Sequence, residues 1–284
     1  MTSDFGYNTF PMPAEISDEE LDEIGVILSM LRRFDLSVYK AKCMKRRVAI
    51  RMRAARCSDV SAYCGLLRQN DRELDLLQKT LTIHVSQFFR NPSLFEKLRN
   101  DIIPGLFRTR ENDSGGPLRF WCLGCASGEE PYTLAILLQE YFGKEIRRTP
   151  IEIVGTDIDA DTLQAARKAE YNEDRLREAP EEIKGRYFHQ TGTSFRLISE
   201  IRDMVTFFQG DIMDVGGYVR SDMVLCRNTL IYFTRPDQEK ILNGIADIMP
   251  PGGILVLGKS ETLVGAARSG FAPVCPMERI YRKL

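Results

Sequence analysis

Two different rhythms divide the chain. Up to about residue 90 the apolar positions recur at helical spacing: Leu21, Ile24, Ile27, Leu28, Leu31 and Phe34 lie three or four residues apart or in adjacent pairs. Ser17 followed by Glu20 has the spacing of a capping box, in which each side chain accepts the other's backbone N–H at a helix start. The same periodicity predicts further helices over about 37–56, 59–68 and 71–83, with the polar stretch between Leu67 and Leu74 as a turn. Asn91-Pro92-Ser93 reads as another helix start, since a proline costs nothing where the first-turn N–H has no partner anyway. Beyond the loop at 108–117 the rhythm changes. Short β-rich runs at 118–123, 151–156, 204–209, 222–226 and 254–257 alternate with amphipathic segments at 131–142, 161–171 and 236–249. Strands separated by helices pair in parallel, so this part predicts βαβ units. The last runs, 271–274 and 279–282 around Pro276, predict a closing antiparallel hairpin, and no internal repeat is visible.

Composition narrows the class. The 284 residues are 43% hydrophobic and 28% charged, enough for one large or two smaller domains with real cores, and neither disordered nor fibrous. No apolar run reaches the ~18 residues of a spanning helix, so no membrane insertion is expected. The start, MTSDFGYNTF, lacks a basic-then-apolar secretion signal, and seven cysteines fit reduced thiols better than a disulfide framework; a cytoplasmic protein is expected. With 39 basic and 40 acidic residues the net charge is −1, which excludes strong global attraction to nucleic acid. One segment departs from that balance. Between Tyr39 and Arg56 stand eight basic residues (Lys40, Lys42, Lys45, Arg46, Arg47, Arg51, Arg53, Arg56) and no acidic one. Such a helix suits an acidic helical partner, against a plain solvated face or nucleic acid. Cys122 and Cys125 have C-x-x-C spacing, yet structural zinc takes four ligands and the chain's histidines are His84 and His189 alone. Buried thiols at a strand end are the simpler reading, and no metal is expected.

Ligands of an open α/β sheet lie beyond the carboxyl ends of its strands. The first strand runs into Gly124-Cys125-Ala126-Ser127-Gly128-Glu129-Glu130. A dinucleotide would set its pyrophosphate on the helix start, where two carboxylates repel it. A ligand with a cationic end is welcome there, although the pair also complements the helix dipole without any ligand. The second strand ends in Thr156-Asp157-Ile158-Asp159, where a carboxylate can accept from ribose hydroxyls and where Asp159 reads better as a helix cap. The third ends in Gln209-Gly210-Asp211-Ile212, with an acceptor for an adenine amino group. Together these acids favour an adenosine with a cationic tail, S-adenosylmethionine on a class I methyltransferase sheet, over a nicotinamide dinucleotide.

The segments Phe88-Phe89-Arg90, Cys125-Ala126-Ser127-Gly128-Glu129-Glu130-Pro131-Tyr132, Thr156-Asp157-Ile158-Asp159, Cys226-Arg227-Asn228-Thr229-Leu230-Ile231-Tyr232-Phe233 and Pro251-Gly252-Gly253 occur in that order. This ordered set, in a match spanning about 13–284, closely resembles the bacterial chemotaxis receptor methyltransferases, the CheR family. The resemblance implies an α/β fold: a class I S-adenosylmethionine methyltransferase (Rossmann-like) sheet within a domain at 118–284, carrying a small antiparallel β-subdomain at about 187–203. It also implies an all-α N-terminal domain at 13–85 that docks the receptor, and a linker with its first helix at 86–117. The implied activity is that of a monomeric protein-glutamate O-methyltransferase, moving the methyl of S-adenosylmethionine to glutamates on the cytoplasmic helices of chemoreceptors and leaving S-adenosylhomocysteine. Position by position, the resemblance assigns the cofactor to His84, Ser86, Arg90, Gly124, Glu130, Asp157, Asp211, Ile212, Cys226 and Arg227. It places Arg90 and Tyr232 beside the transferred methyl, and receptor docking falls to Arg46, Arg47, Arg51 and Arg53.

Elementary chemistry agrees with that assignment. A glutamate side chain, pKa ~4.3, is already an ionised nucleophile at neutral pH, so no general base is needed. Carboxylate and sulfonium charges cancel as the methyl moves, which leaves alignment and removal of water as the work of catalysis. Arg90 would orient the carboxylate and Tyr232 would hydrogen-bond it. Two departures stand out. His84 and Ser86 occupy positions where the family usually has Asn and Thr; serine keeps the hydroxyl, whereas a protonated imidazole would sit awkwardly near a sulfonium. The stretch HQTGTSFRLISEIRD is shorter by a few residues than in relatives whose β-subdomain docks a peptide tethered to the receptor C-terminus, so methylation without that tether is expected. The alternatives are an idle cofactor-binding sensor and a nucleic-acid methyltransferase. Against the latter, Arg227-Asn228-Thr229-Leu230 is not the [DN]-P-P-[YF] turn of amino-directed DNA methyltransferases.

Overall fold

Caps set the helices of the N-terminal segment. Helix α1 (Asp18–Arg32) opens on the capping box, Glu20 N–H donating to Ser17 Oγ at 3.2 Å and Ser17 N–H to Glu20 Oε2 at 2.8 Å. It closes on Arg33 in the left-handed region. After α2 (Ala41–Ala54), Asp59 caps α3 (Val60–Gln69) and Asn70 caps α4 (Asp71–Leu81), a one-residue junction. The four helices bury Ile24, Leu28, Met44, Val48, Met52, Leu67 and Leu77 against one another. In a computed structural model describing residues 15–82, 86–111 and 116–284, this segment forms one compact unit together with Tyr232–Thr234, and the remainder forms a second.

The returning strip explains why α2 starts later than the periodicity predicts. Lys40 N–H donates to Tyr232 O at 2.8 Å and Thr234 N–H to Val38 O at 2.9 Å, while the Tyr39 and Phe233 rings lie 4.8 Å apart. Tyr39 therefore forms a β-bridge to Phe233, Lys40 is extended, and the helix begins at Ala41.

The second unit begins with α5 (Pro92–Lys97), which continues through a π-helical turn at Leu98–Ile102 into α6 (Ile103–Glu111). There follow β1 (Leu118–Leu123), α7 (Glu129–Tyr141), β2 (Ile151–Asp157), α8 (Ala160–Lys168), β3 (Glu170–Asn172), α9 (Glu181–Tyr187), β4 (Phe188–Thr191) and β5 (Ser194–Leu197). The chain goes on through α10 (Ser199–Arg202), β6 (Val205–Gln209), β7 (Met223–Cys226), α11 (Arg235–Ile248), β8 (Ile254–Leu257), α12 (Ala267–Gly270), β9 (Phe271–Cys275) and β10 (Ile280–Lys283). Seven strands form one sheet in the order β6-β2-β1-β7-β8-β10-β9. The first five run parallel, and β10 runs against both of its neighbours, as the closing hairpin requires. Helix α7 is apolar nearly all round because it is buried from Pro131 to Leu138.

A second sheet, in the order β3-β5-β4, draws in a strand from before residue 187. The 161–171 pattern overruns here: Ala169 adopts a left-handed φ of 53° that ends α8, and Tyr171 pairs with Phe195 instead. Helix α9 and strand β3, seven and three residues long, are too short to carry a clear periodic signal.

Candidate cofactor site at the carboxyl edge of the sheet

From β1 the chain moves outward to β2 and then β6, and later returns to the other side for β7 and β8. The exit of β1 is thus the point where strand order reverses, the crevice in which open α/β sheets hold ligands. The turn there is built from backbone. Gly124 and Cys125 N–H both donate to Thr156 O at 2.9 Å. Gly124 (φ 76°) and Gly128 (φ 88°) are left-handed, and each is also packed: a Cβ on Gly124 would stand 2.6 Å from Thr229 Oγ1, one on Gly128 2.9 Å from Phe207 Cζ.

Acidic side chains stand at the surrounding exits. Asp157 is buried at the end of β2, its Oδ2 accepting from Ala126 N–H at 2.9 Å and its Oδ1 from Asp159 N–H at 3.1 Å. Asp159 caps α8 through Thr162 N–H at 2.9 Å. Asp211, past β6, is exposed and accepts from Met213 N–H at 2.8 Å, while the buried Ile212 offers its carbonyl to the Tyr218 hydroxyl at 2.6 Å. On the other side Arg227 follows β7. Its Nη1 lies 2.7 Å from Glu130 Oε2, and its Nη2 donates to Arg90 O at 3.0 Å and Asn91 Oδ1 at 2.7 Å. The side chains of Arg227 and Glu130 are only 4% and 14% exposed, so the pair is a buried one. Burial pushes the thiols of Cys122, Cys125 and Cys226 well above the ordinary cysteine range.

The wall facing Glu130 runs from Ser86 to Asn91. Phe89 and Asn91 are both left-handed, at φ 56° and 67°. Several donors hold the wall: Phe89 N–H reaches Thr133 Oγ1 at 3.1 Å, Phe88 N–H reaches Arg175 O at 2.9 Å, and Arg175 Nη1 reaches Ser86 O at 2.6 Å. Arg175 Nη1 also lies 3.3 Å from the fully buried Glu129. The structure therefore brings Ser86, Arg90, Gly124, Glu130, Asp157, Asp211, Ile212, Cys226 and Arg227 into one unit, around one edge of one sheet. His84 lies outside the described residues. Tyr232 belongs to the N-terminal unit, with its ring centroid 5.8 Å from the Arg47 guanidinium. Sequence reasoning missed Thr133, Arg175 and Glu261. For Glu261 a signal exists, since Gly258-Lys259-Ser260-Glu261 puts another carboxylate just beyond a strand end.

Of the four arginines on α2, Arg46 and Arg53 are exposed. Arg47 is half-buried and donates to Thr80 O at 2.5 Å, and burial lowers its pKa. Arg51 is committed inward, gripping Glu73 through two bonds of 2.8 and 2.7 Å, while the Tyr63 hydroxyl donates to the same carboxylate at 2.9 Å.

Residues 84–275 match the family model described as CheR methyltransferase, SAM binding domain, and residues 19–82 match the one described as CheR methyltransferase, all-alpha domain. The chain belongs to the CheR methyltransferase family. The methyltransferase is 32% identical over 238 residues to a chemotaxis protein methyltransferase of Listeria innocua, covering 84% of this chain and 88% of that one. It is 31% identical over 255 residues to chemotaxis protein methyltransferase 2 of Pseudomonas aeruginosa, covering 88% of each. An uncharacterized 104.1 kDa protein of Rhodobacter capsulatus is 32% identical over 266 residues, 94% of this chain, which spans 28% of that longer protein. The enzyme is an S-adenosylmethionine-dependent methyltransferase. Its strand exits suit that cofactor: a glycine turn without a Cβ at its corner, carboxylates at the exits of β2 and β6, and a carboxylate on the first turn of α7 where a pyrophosphate would be repelled. Among the described residues no group of three or more His, Cys, Asp or Glu side chains is placed to hold a metal ion, and no helix is long and apolar enough to cross a membrane.

Proposed function

We propose that this methyltransferase esterifies glutamate side chains on the cytoplasmic helices of chemoreceptors, as a cytoplasmic monomer that needs neither a metal nor a tethered receptor peptide. The observation that carries the substrate class is the face of α2: Lys42, Arg46 and Arg53 fall on one stripe, all exposed, on a helix with no acidic residue. A helix bearing several glutamates is complementary to it, and such complementarity chiefly steers encounter and sets register. The kinship with chains named chemotaxis protein methyltransferase points the same way.

At the site each residue has a task. Asp157 accepts from ribose hydroxyls, Asp211 from the adenine amino group, and Glu130, one oxygen of which holds Arg227, faces the ammonium end. Bound S-adenosylmethionine supplies an electrophilic methyl on a sulfonium. Arg90 orients the incoming carboxylate, while the wall at 86–91 excludes water. No proton has to move, because the nucleophile is already ionised.

The test is transfer of radiolabelled methyl from S-adenosylmethionine to receptor-containing membranes, followed by alkali. Alkali-labile label on the receptor is expected, as is undiminished labelling of a receptor lacking its C-terminal tail. Alkali-stable label would overturn the ester, cofactor binding without label would favour the idle sensor, and loss of labelling with the tail would overturn tether independence.

A further inference from the structure

Beyond β8 lies a buried carboxylate gripped by backbone. Glu261 is 4% exposed, and its own N–H closes a tight turn onto Gly258 O at 2.8 Å. Its Oε2 accepts from Gly258 N–H at 2.6 Å and Asn228 N–H at 2.9 Å; its Oε1 accepts from Thr229 N–H at 2.9 Å and Ile231 N–H at 3.3 Å. Four backbone dipoles from two strand exits thus converge on one side chain. The clamp extends further. Thr229, held by Glu261, puts its Oγ1 where a Cβ on Gly124 would stand, so the β7 exit is pressed against the turn after β1. Asn228, at a left-handed φ of 57°, directly follows Arg227, and Thr229 Oγ1 donates to Arg227 O at 3.2 Å.

We propose that Glu261 is a positioning residue of the cofactor site, fixing the exits of β7 and β8 against the β1 turn so that Cys226, Arg227 and Gly124 present one rigid surface. Burying a carboxylate is expensive unless its lone pairs are filled, and here four backbone N–H groups fill them, groups that an apolar side chain would leave without an acceptor. Burial raises the Glu261 carboxyl above the ordinary range while the four N–H groups act against that rise, and its charge adds to the burial that pushes the Cys226 thiol up. A carboxylate can satisfy four converging N–H donors; an amide of the same shape offers one oxygen and turns an N–H₂ toward donors. The inference rests on the assignment of Gly124, Cys226 and Arg227 to the cofactor.

Calorimetric affinity for S-adenosylmethionine, with unfolding midpoints, tests it on three variants of the full chain. Glu261→Gln should weaken binding about tenfold or more, which is ~1.4 kcal/mol or above. Gly258→Ala, whose Cβ would meet Glu261 Oε2 at 2.7 Å and Asn228 N at 2.9 Å, should displace the carboxylate and weaken binding likewise. Leu255→Ala, in the buried middle of β8 and away from the exits, should lower the midpoint but keep the wild-type affinity. Wild-type affinity in both Glu261→Gln and Gly258→Ala would overturn the proposal, as would an equal loss of affinity in Leu255→Ala. No binding by the unaltered protein would instead overturn the cofactor site itself.

Discussion

Arg227 holds the charge balance of the site, since one guanidinium serves Glu130, the Arg90 carbonyl and the Asn91 amide. Removing it strands a mostly buried carboxylate. Arg227→Ala should therefore cost ~3–5 kcal/mol in urea unfolding, and Arg227→Lys should recover only part, because an ammonium cannot span three acceptors in the plane of a fork. Glu130, Asp157 and Asp211 are legible from the sequence because each closely follows the apolar run of a strand. Glu261 shares that signal, standing just beyond the run of β8, but its grip on residues 30–33 positions away is not legible. Neither are Thr133 and Arg175, which act on residues 44 and 89 positions away, separations over which local pattern carries no information.

For helix α2, periodicity and burial sort its basic residues into two roles. Lys42, Arg46 and Arg53 point outward, whereas Arg51 is a core ligand of Glu73. The double variant Arg46→Glu, Arg53→Glu should lower receptor methylation while S-adenosylmethionine affinity stays unchanged. Arg51→Glu should instead unfold the N-terminal unit, visible as lost helical dichroism, because it sets a second carboxylate against one that is already buried beside Tyr63. Strand β8 falls where its apolar run predicts, at 254–257, since a fully buried strand is a continuous apolar run, and β1 falls at 118–123, its apolar run broken by the partly buried Arg119. Helices are less well bounded by pattern: α2 yields its first residues to the strip at 232–234, and α8 stops at a left-handed alanine, a residue type that gives no stop signal.

A chain of net charge −1 has no long-range pull on an acidic receptor, so any steering comes from the local stripe on α2. The initial rate of receptor methylation should then fall between low and physiological salt, where screening acts over ~8 Å, and the double reversal should abolish that dependence. Affinity for the cofactor, measured over the same range, should change little, because Glu130, Asp157 and Arg227, three of its proposed charged partners, are largely buried. Helix period, strand alternation, caps and the acids at strand ends are local properties, each readable within a dozen residues, and they suffice for an all-α segment followed by a parallel α/β sheet with an adenosine-like ligand at its carboxyl edge. Strand order is different. That β1 lies at the reversal point, that β3 joins β5 in a separate sheet, that 232–234 returns to α2, and that Glu261 gathers two exits onto the β1 turn all depend on which distant segments bury one another. Only the packed chain selects among those pairings, because their free energy comes from contacts made simultaneously and not from any one stretch of sequence.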